Sequence, residues 1–147
     1  MATLFAIPSS EWGPILWKIL HILAEHTNEY HIELWKSLLS SLPNLIMCDY
    51  CRLHVEYYIQ KYPLINTPIR DYLYYFHEYV NKQADKSTFN YSLLTSTYKA
   101  TEDLENLIQQ FHDLVKRAVQ LKILDASKSE YWFYTLQELT HIVQSPL

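Results

Sequence analysis

Apolar side chains recur every three or four residues along most of this chain, and prolines, asparagines and short polar runs interrupt them. That period is helical. Ser9, Ser10 and Glu11 precede Trp12-Gly13-Pro14, and Pro14 suits the first position of a helix. Ile15, Leu16, Ile19, Leu20, Ile22 and Leu23 then share a stripe that ends near Asn28. A second helix is predicted over 32–41, with Leu34, Trp35, Leu38 and Leu39 on its apolar side and Pro43 as its stop. A third runs from about Cys48 to Tyr62 and halts at Pro63. Pro63 and Pro68 bracket a short connection to a fourth, about Ile69 to Gln83, rich in tyrosine. Lys86-Ser87-Thr88 reads as a loop, and Tyr91 to Lys99 as a short fifth helix. Beyond Thr101 the pattern changes: Leu104, Leu107, Ile108, Phe111, Leu114, Val115 and Ala118 form a strong amphipathic stripe. Asp125 to Ser129 reads as a linker, and Tyr131 to Val143 as the last helix.

Composition sharpens this picture. One glycine in 147 residues rules out the glycine loops that cradle phosphates and leaves few turn residues for hairpins. At 49% hydrophobic the chain can bury one full core. A formal charge of −4 without any basic run makes nucleic acid a poor partner. No apolar run approaches the roughly 18–20 residues of a membrane span. The segment Met1 to Ser9 is short and lacks a basic head, so no secretory signal is expected, and a reducing, cytoplasmic setting follows.

Candidate chemistry concentrates in Cys48-Asp49-Tyr50-Cys51, which holds both cysteines. Such a pair can carry a disulfide, exchange it with another protein, or supply half of a metal site. Placed in the first turn of a helix, Cys48 would meet unpaired amides and the positive end of the dipole, which favour a thiolate. A thioredoxin-like setting needs a strand before the pair, and none is predicted. Arg52, not histidine, follows Cys51, which excludes c-type haem attachment. A zinc-binding interaction module would use Cys48, Cys51, His54 and His77 as four ligands. A plain helical scaffold would leave the cysteines inert. Trp17 and His21 lie four apart and share a face, as do His77 and Asn81.

Four blocks in order resemble one family. Trp12-Gly13-Pro14-Ile15-Leu16-Trp17 through His21 resembles the opening of the Erv/ALR family of FAD-linked sulfhydryl oxidases. Cys48 to His54 resembles its redox block, His77-Glu78-Tyr79-Val80-Asn81-Lys82 its His-Asn-x-Val-Asn block, and Lys86-Ser87-Thr88-Phe89 its Lys-x-x-Phe. The resemblance covers about residues 10 to 99. It implies an all-α fold: a four-helix bundle with a short fifth helix, here followed by a C-terminal helical extension, dividing the chain at 1–99 and 100–147. It implies FAD held by Trp12, Gly13, Trp17, His21, His54, His77, Asn81, Lys82, Lys86 and Phe89. It implies catalysis by Cys48, attacked by a substrate dithiol, and Cys51, which lies against the flavin, with O2 as final acceptor and H2O2 as product. Family members are commonly homodimers. Glu78 departs from the family's asparagine, Tyr91 stands near a further cysteine of many members, and no second Cys-x-x-Cys exists to act as a shuttle. Electrons are therefore expected directly from a thioredoxin-like or other dithiol protein. The compact design looks most like the versions encoded by large DNA viruses, which would place it in host cytoplasm or virion.

Overall fold

A computed structural model describes residues 7–144. The reading of the N-terminal segment as free of a signal falls mostly on residues outside that range. Among the described residues seven α-helices form: α1 (Ser9–Glu25), α2 (Ile32–Ser41), α3 (Asp49–Lys61), α4 (Ile69–Gln83), α5 (Leu94–Tyr98), α6 (Leu104–Gln120) and α7 (Ala126–Gln144). Short 3-10 turns cover Glu29–His31, Leu42–Leu45 and Tyr91–Leu93. There is no strand among the described residues. No described helix is long and apolar enough to cross a membrane.

The bounds of α2 and α4 fall where proline punctuation put them. Pro68 is the N-cap of α4, and its carbonyl takes the first helical bond from Tyr72 N–H at 2.9 Å. Three expectations are corrected. Pro14 lies inside α1, which starts five residues earlier at Ser9 behind Pro8. The ring removes the bond to the Ser10 carbonyl, but Ser10 is exposed and water can take it. Pro43 does not simply stop α2; it sits in a tighter 3-10 turn that carries the chain on. The predicted linker after Asp125 is helix. The Asp125 side chain accepts from Lys128 N–H at 2.9 Å and caps α7 from Ala126 onward.

α1 is the centre of the molecule. Leu16, Ile19, Leu20, Ile22, Leu23 and His21 are all buried, so apolar surface faces outward on nearly every side of it. α4 and α5 cover one part of α1 and α6 another, while α7 packs on α2 and on the Leu42–Leu45 turn. α3 leans on α4. The core is one continuous cluster that includes Phe111, Val115, Trp132, Leu136 and Leu139 from α6 and α7. Trp132 donates its indole N–H to the Leu38 carbonyl at 3.0 Å, so a buried polar atom is satisfied across α7 and α2.

Two helices end the same way. After α4, Asp85 turns into the left-handed region (φ 56°), its N–H meets the Lys82 carbonyl at 3.2 Å, and Lys86 N–H meets the Asn81 carbonyl at 2.8 Å. After α6, Lys122 does so (φ 61°), with Lys122 N–H on Val119 O at 3.0 Å and Ile123 N–H on Ala118 O at 2.8 Å. Both are Schellman closures, a position that favours glycine. In this glycine-poor chain the side-chain-bearing residues absorb the strain. Lys122→Gly is therefore expected to stabilise the protein by about 1 kcal/mol. A urea titration that shows equal or lower stability would contradict this.

Candidate functional site

The redox pair opens α3. Cys48 is the N-cap, with extended backbone (φ −127°, ψ 122°), and its carbonyl takes Arg52 N–H at 2.8 Å. Its Sγ accepts the Cys51 N–H at 3.2 Å. The sulfur thus takes the place that a serine or aspartate oxygen usually holds at a helix start. This is one residue earlier than the first turn expected from sequence. Both cysteines are free thiols and half-buried. Cys51, one turn further in, is not a ready thiolate. Burial, the hydrogen bond with Cys48 and the charge of Cys48 push its thiol up to about 12. In the dithiol form Cys51 keeps its proton.

Between α1 and α4 lies a nest of rings. Trp17 and His77 stack at 4.0 Å between centroids and 7° between planes. His21 and Tyr98 stack at 4.6 Å and 14°. His21 Nε2 and His77 Nδ1 are 2.9 Å apart and share a hydrogen bond, which joins the two pairs. Burial, then the charge of His77, lowers His21 to about 3; burial, then the charge of Lys86, lowers His77 to about 4. Both imidazoles are neutral at pH 7. A cavity of only about 10 Å³ remains among His21, Tyr74, His77, Glu78, Asn81 and Phe89.

The charge of Lys86 acts on both the nest and Cys51. Its positive charge favours the ionised form of Cys51 and opposes protonation of His77, so it stands within electrostatic reach of both. The α4 closure fixes its backbone on Asn81. Phe76 continues the connection through packed rings: it meets Trp17 edge-on at 5.2 Å and stacks on Tyr58 of α3 at 4.9 Å.

The other residues singled out from sequence are more scattered. Trp12 is buried and donates to the Ile7 carbonyl at 3.3 Å, outside the ring contacts. Gly13 is half-buried, and a Cβ there would meet nothing within 4 Å. Lys82 pairs with Glu78 at 3.3 Å. Phe89 lines the small cavity and packs on Tyr98 at 5.9 Å. His54 contacts Tyr50 and Tyr79 edge-on, whereas His77 stacks on Trp17. Cys48, Cys51, His54 and His77 therefore do not converge. Among the described residues no group of three or more His, Cys, Asp or Glu is placed to hold a metal. That removes the geometric basis of the zinc alternative. Sequence reasoning missed Tyr98, whose partner His21 lies far along the chain, and Tyr74, which bonds the Phe89 carbonyl beyond the end of α4. A larger cavity, about 960 Å³, lies between α6 and α7, but it holds neither cysteine nor any ring of the nest.

Such an all-helical bundle, with a dithiol at one helix start and a nest of stacked rings between two other helices, defines a helical dithiol protein rather than a thioredoxin fold. Residues 14–102 match the Erv1 / Alr family, and the chain belongs to that family. It is 30% identical over 99 residues to the FAD-linked sulfhydryl oxidase of African swine fever virus (isolate Pig/Kenya/KEN-50/1950), a match spanning 60% of this chain and 80% of that protein. No solved structure matches it.

The neutral imidazoles carry a pH signature. Folded His21 and His77 bind protons only near pH 3 and pH 4, whereas unfolded histidine binds near 6.5. Between those limits the unfolded chain holds more protons, so stability falls on acidification and is flat above about pH 7 from these groups. The urea midpoint is expected to drop between about pH 7 and about pH 5. An unchanged midpoint over that window would contradict the buried pair.

Proposed function

We propose that this chain is an FAD-linked thiol oxidase that forms disulfides in partner proteins. The observation that carries the reading is the half-buried Cys48–Cys51 pair at the start of α3 together with the nest of stacked, neutral rings between α1 and α4. Membership of the Erv1 / Alr family and the similarity to a viral FAD-linked sulfhydryl oxidase support it.

The donor set fits a flavin in kind. Trp17, His21, His77 and Tyr98 offer ring faces. Asn81 and Phe89 border the cavity beside them, and Lys86 supplies positive charge for a diphosphate. The open surface at Gly13 gives a cofactor room to approach α1. Trp12 holds the α1 start, and Lys82 and His54 serve at the rim. The cavity itself is too small for a flavin, so the rings part to admit one. When bound, the flavin accepts the two electrons of the dithiol and yields them to O2, giving H2O2.

The protein's own steps concern sulfur and protons. With Cys48 and Cys51 joined as a disulfide, a thiolate of the substrate attacks Cys48, the N-capping sulfur, and Cys51 leaves. The substrate's second thiol then displaces Cys48 and closes the new disulfide. Burial makes Cys51 a poor resting thiolate, and Lys86 partly offsets this where the charge forms. The donor is a thioredoxin-like or other dithiol protein, since the chain has no second cysteine pair to act as a shuttle. The chain works as a homodimer in the cytoplasm. Residues 1–99 form the catalytic unit and 100–147 an extension that covers it.

Purified protein is expected to consume O2 with a small dithiol such as dithiothreitol. Cys51→Ser and Cys48→Ser should each keep bound flavin and lose that activity by at least about a hundredfold. Full turnover in Cys51→Ser, or no oxidase activity in the flavin-loaded wild type, would overturn the reading. Light scattering checks the dimer; a monomer at micromolar concentration would remove that part alone.

A further inference from the structure

The ring nest has one wall that the long helices do not supply. α1 gives Trp17 and His21, and α4 gives Tyr74, His77 and Asn81. The remaining side is a strap from Phe89 to Lys99, which brings Phe89 and Tyr98. Between residues 90 and 99 only Leu94 is fully buried, so apolar packing holds this wall weakly.

Polar side chains hold it instead, and most converge on Arg70. Its Nε donates to Glu25 Oε1 at 3.2 Å, and its Nη2 stands 3.1 Å from the same oxygen. Nη2 also donates to Thr95 Oγ1 at 2.8 Å, and Nη1 to Tyr91 OH at 3.2 Å. Thr95 Oγ1 lies 3.3 Å from Glu25 Oε2, and Tyr91 OH donates to Asp71. The guanidinium lies over the Tyr91 ring at 5.5 Å. One side chain thus ties the end of α1, the start of α4 and two residues of the strap. The carboxylate of Glu25 is 8% exposed, so this is no ordinary surface pair. A planar five-donor fork can serve three elements at once; lysine cannot. The strap's ends are fastened too, by Tyr74 OH on the Phe89 carbonyl and by His26 on the Lys99 carbonyl, both 2.6 Å.

We propose that Arg70 is a positioning residue for the cofactor site: its clamp pins the 89–99 strap so that the wall carrying Phe89 and Tyr98 stays shut over a bound flavin. The proposal rests on the flavin reading above. Arg70 touches neither the cysteines nor the ring stack; it acts through Thr95 and Tyr91. Every contact is non-covalent, so the wall can swing out to admit the cofactor and return.

The test measures two quantities on the full chain: the rate at which flavin is lost on dilution, and hydrogen exchange of the amides from 93 to 99. Arg70→Met is expected to speed flavin loss by about tenfold, as for one or two charge-assisted hydrogen bonds, and to raise exchange in the strap. Tyr91→Phe, a mild change at a half-exposed site, should move both in the same direction by less, and keeps the test open if Arg70→Met folds poorly. Arg117→Gln, which breaks the surface pair with Glu11 on the other side of α1, should move neither. Unchanged flavin loss or unchanged strap exchange in Arg70→Met and Tyr91→Phe overturns the proposal. So does an equal effect in Arg117→Gln, which would mean general loosening. A wild type with no visible flavin band overturns the functional reading instead, and strap exchange then decides the clamp by itself.

Discussion

Everything in this site depends on two neutral imidazoles bonded to each other. His21 projects from α1 and His77 from α4, and their shared hydrogen bond satisfies one nitrogen of each, with His21 fully buried and His77 half-buried. Burial keeps both uncharged, so they can stack on Trp17 and Tyr98 as flat, apolar faces. A charged imidazole there would pay a desolvation cost that stacking cannot offset. The distance between α1 and α4 is therefore set by a polar contact as well as by the apolar core. Helix α3, which carries the cysteines, leans on α4 as well, with Tyr58 stacked on Phe76.

The cysteines divide the labour by their surroundings. Cys48 caps the helix and receives an amide, which suits a sulfur that meets another protein. Cys51 sits one turn in, next to Cys48, and holds its proton firmly. Lys86 opposes that tendency. Its place is no accident of a floppy loop: the Schellman closure at Asp85 turns the chain back and fastens Lys86 to Asn81. A helix ending, a lysine and a thiol thus form one electrostatic unit.

Much of the frame was legible before the structure. Prolines 43, 63 and 68 mark real boundaries, and the bounds of α2 and α4 follow from periodicity between them. The failures were local rules read too literally. Pro14 suits a helix start, yet Ser9 to Trp12 already coil because burying Trp12 outweighs one lost bond at an exposed carbonyl. Asp125 to Ser129 looks like a linker by composition, but Asp125 is an N-cap, a signal present in the sequence and missed. In the site, Trp17, His21, His77 and Asn81 were found by spacing; His21, His77 and Asn81 line one cavity, and Trp17 stacks on His77. Tyr98 and the Arg70 clamp were not, because they depend on how the strap folds back across some seventy residues. The metal alternative drew on residue types alone, and the helices point His54 and His77 to different neighbours.

The most direct test of the account is an anaerobic titration of the purified protein with a dithiol, followed in the flavin band near ~450 nm. The account predicts a yellow protein whose band bleaches with stoichiometric dithiol and returns on admission of air. A protein with the band intact under excess dithiol would contradict the coupling of Cys48–Cys51 to the ring nest. A protein with no band at all would contradict the cofactor itself.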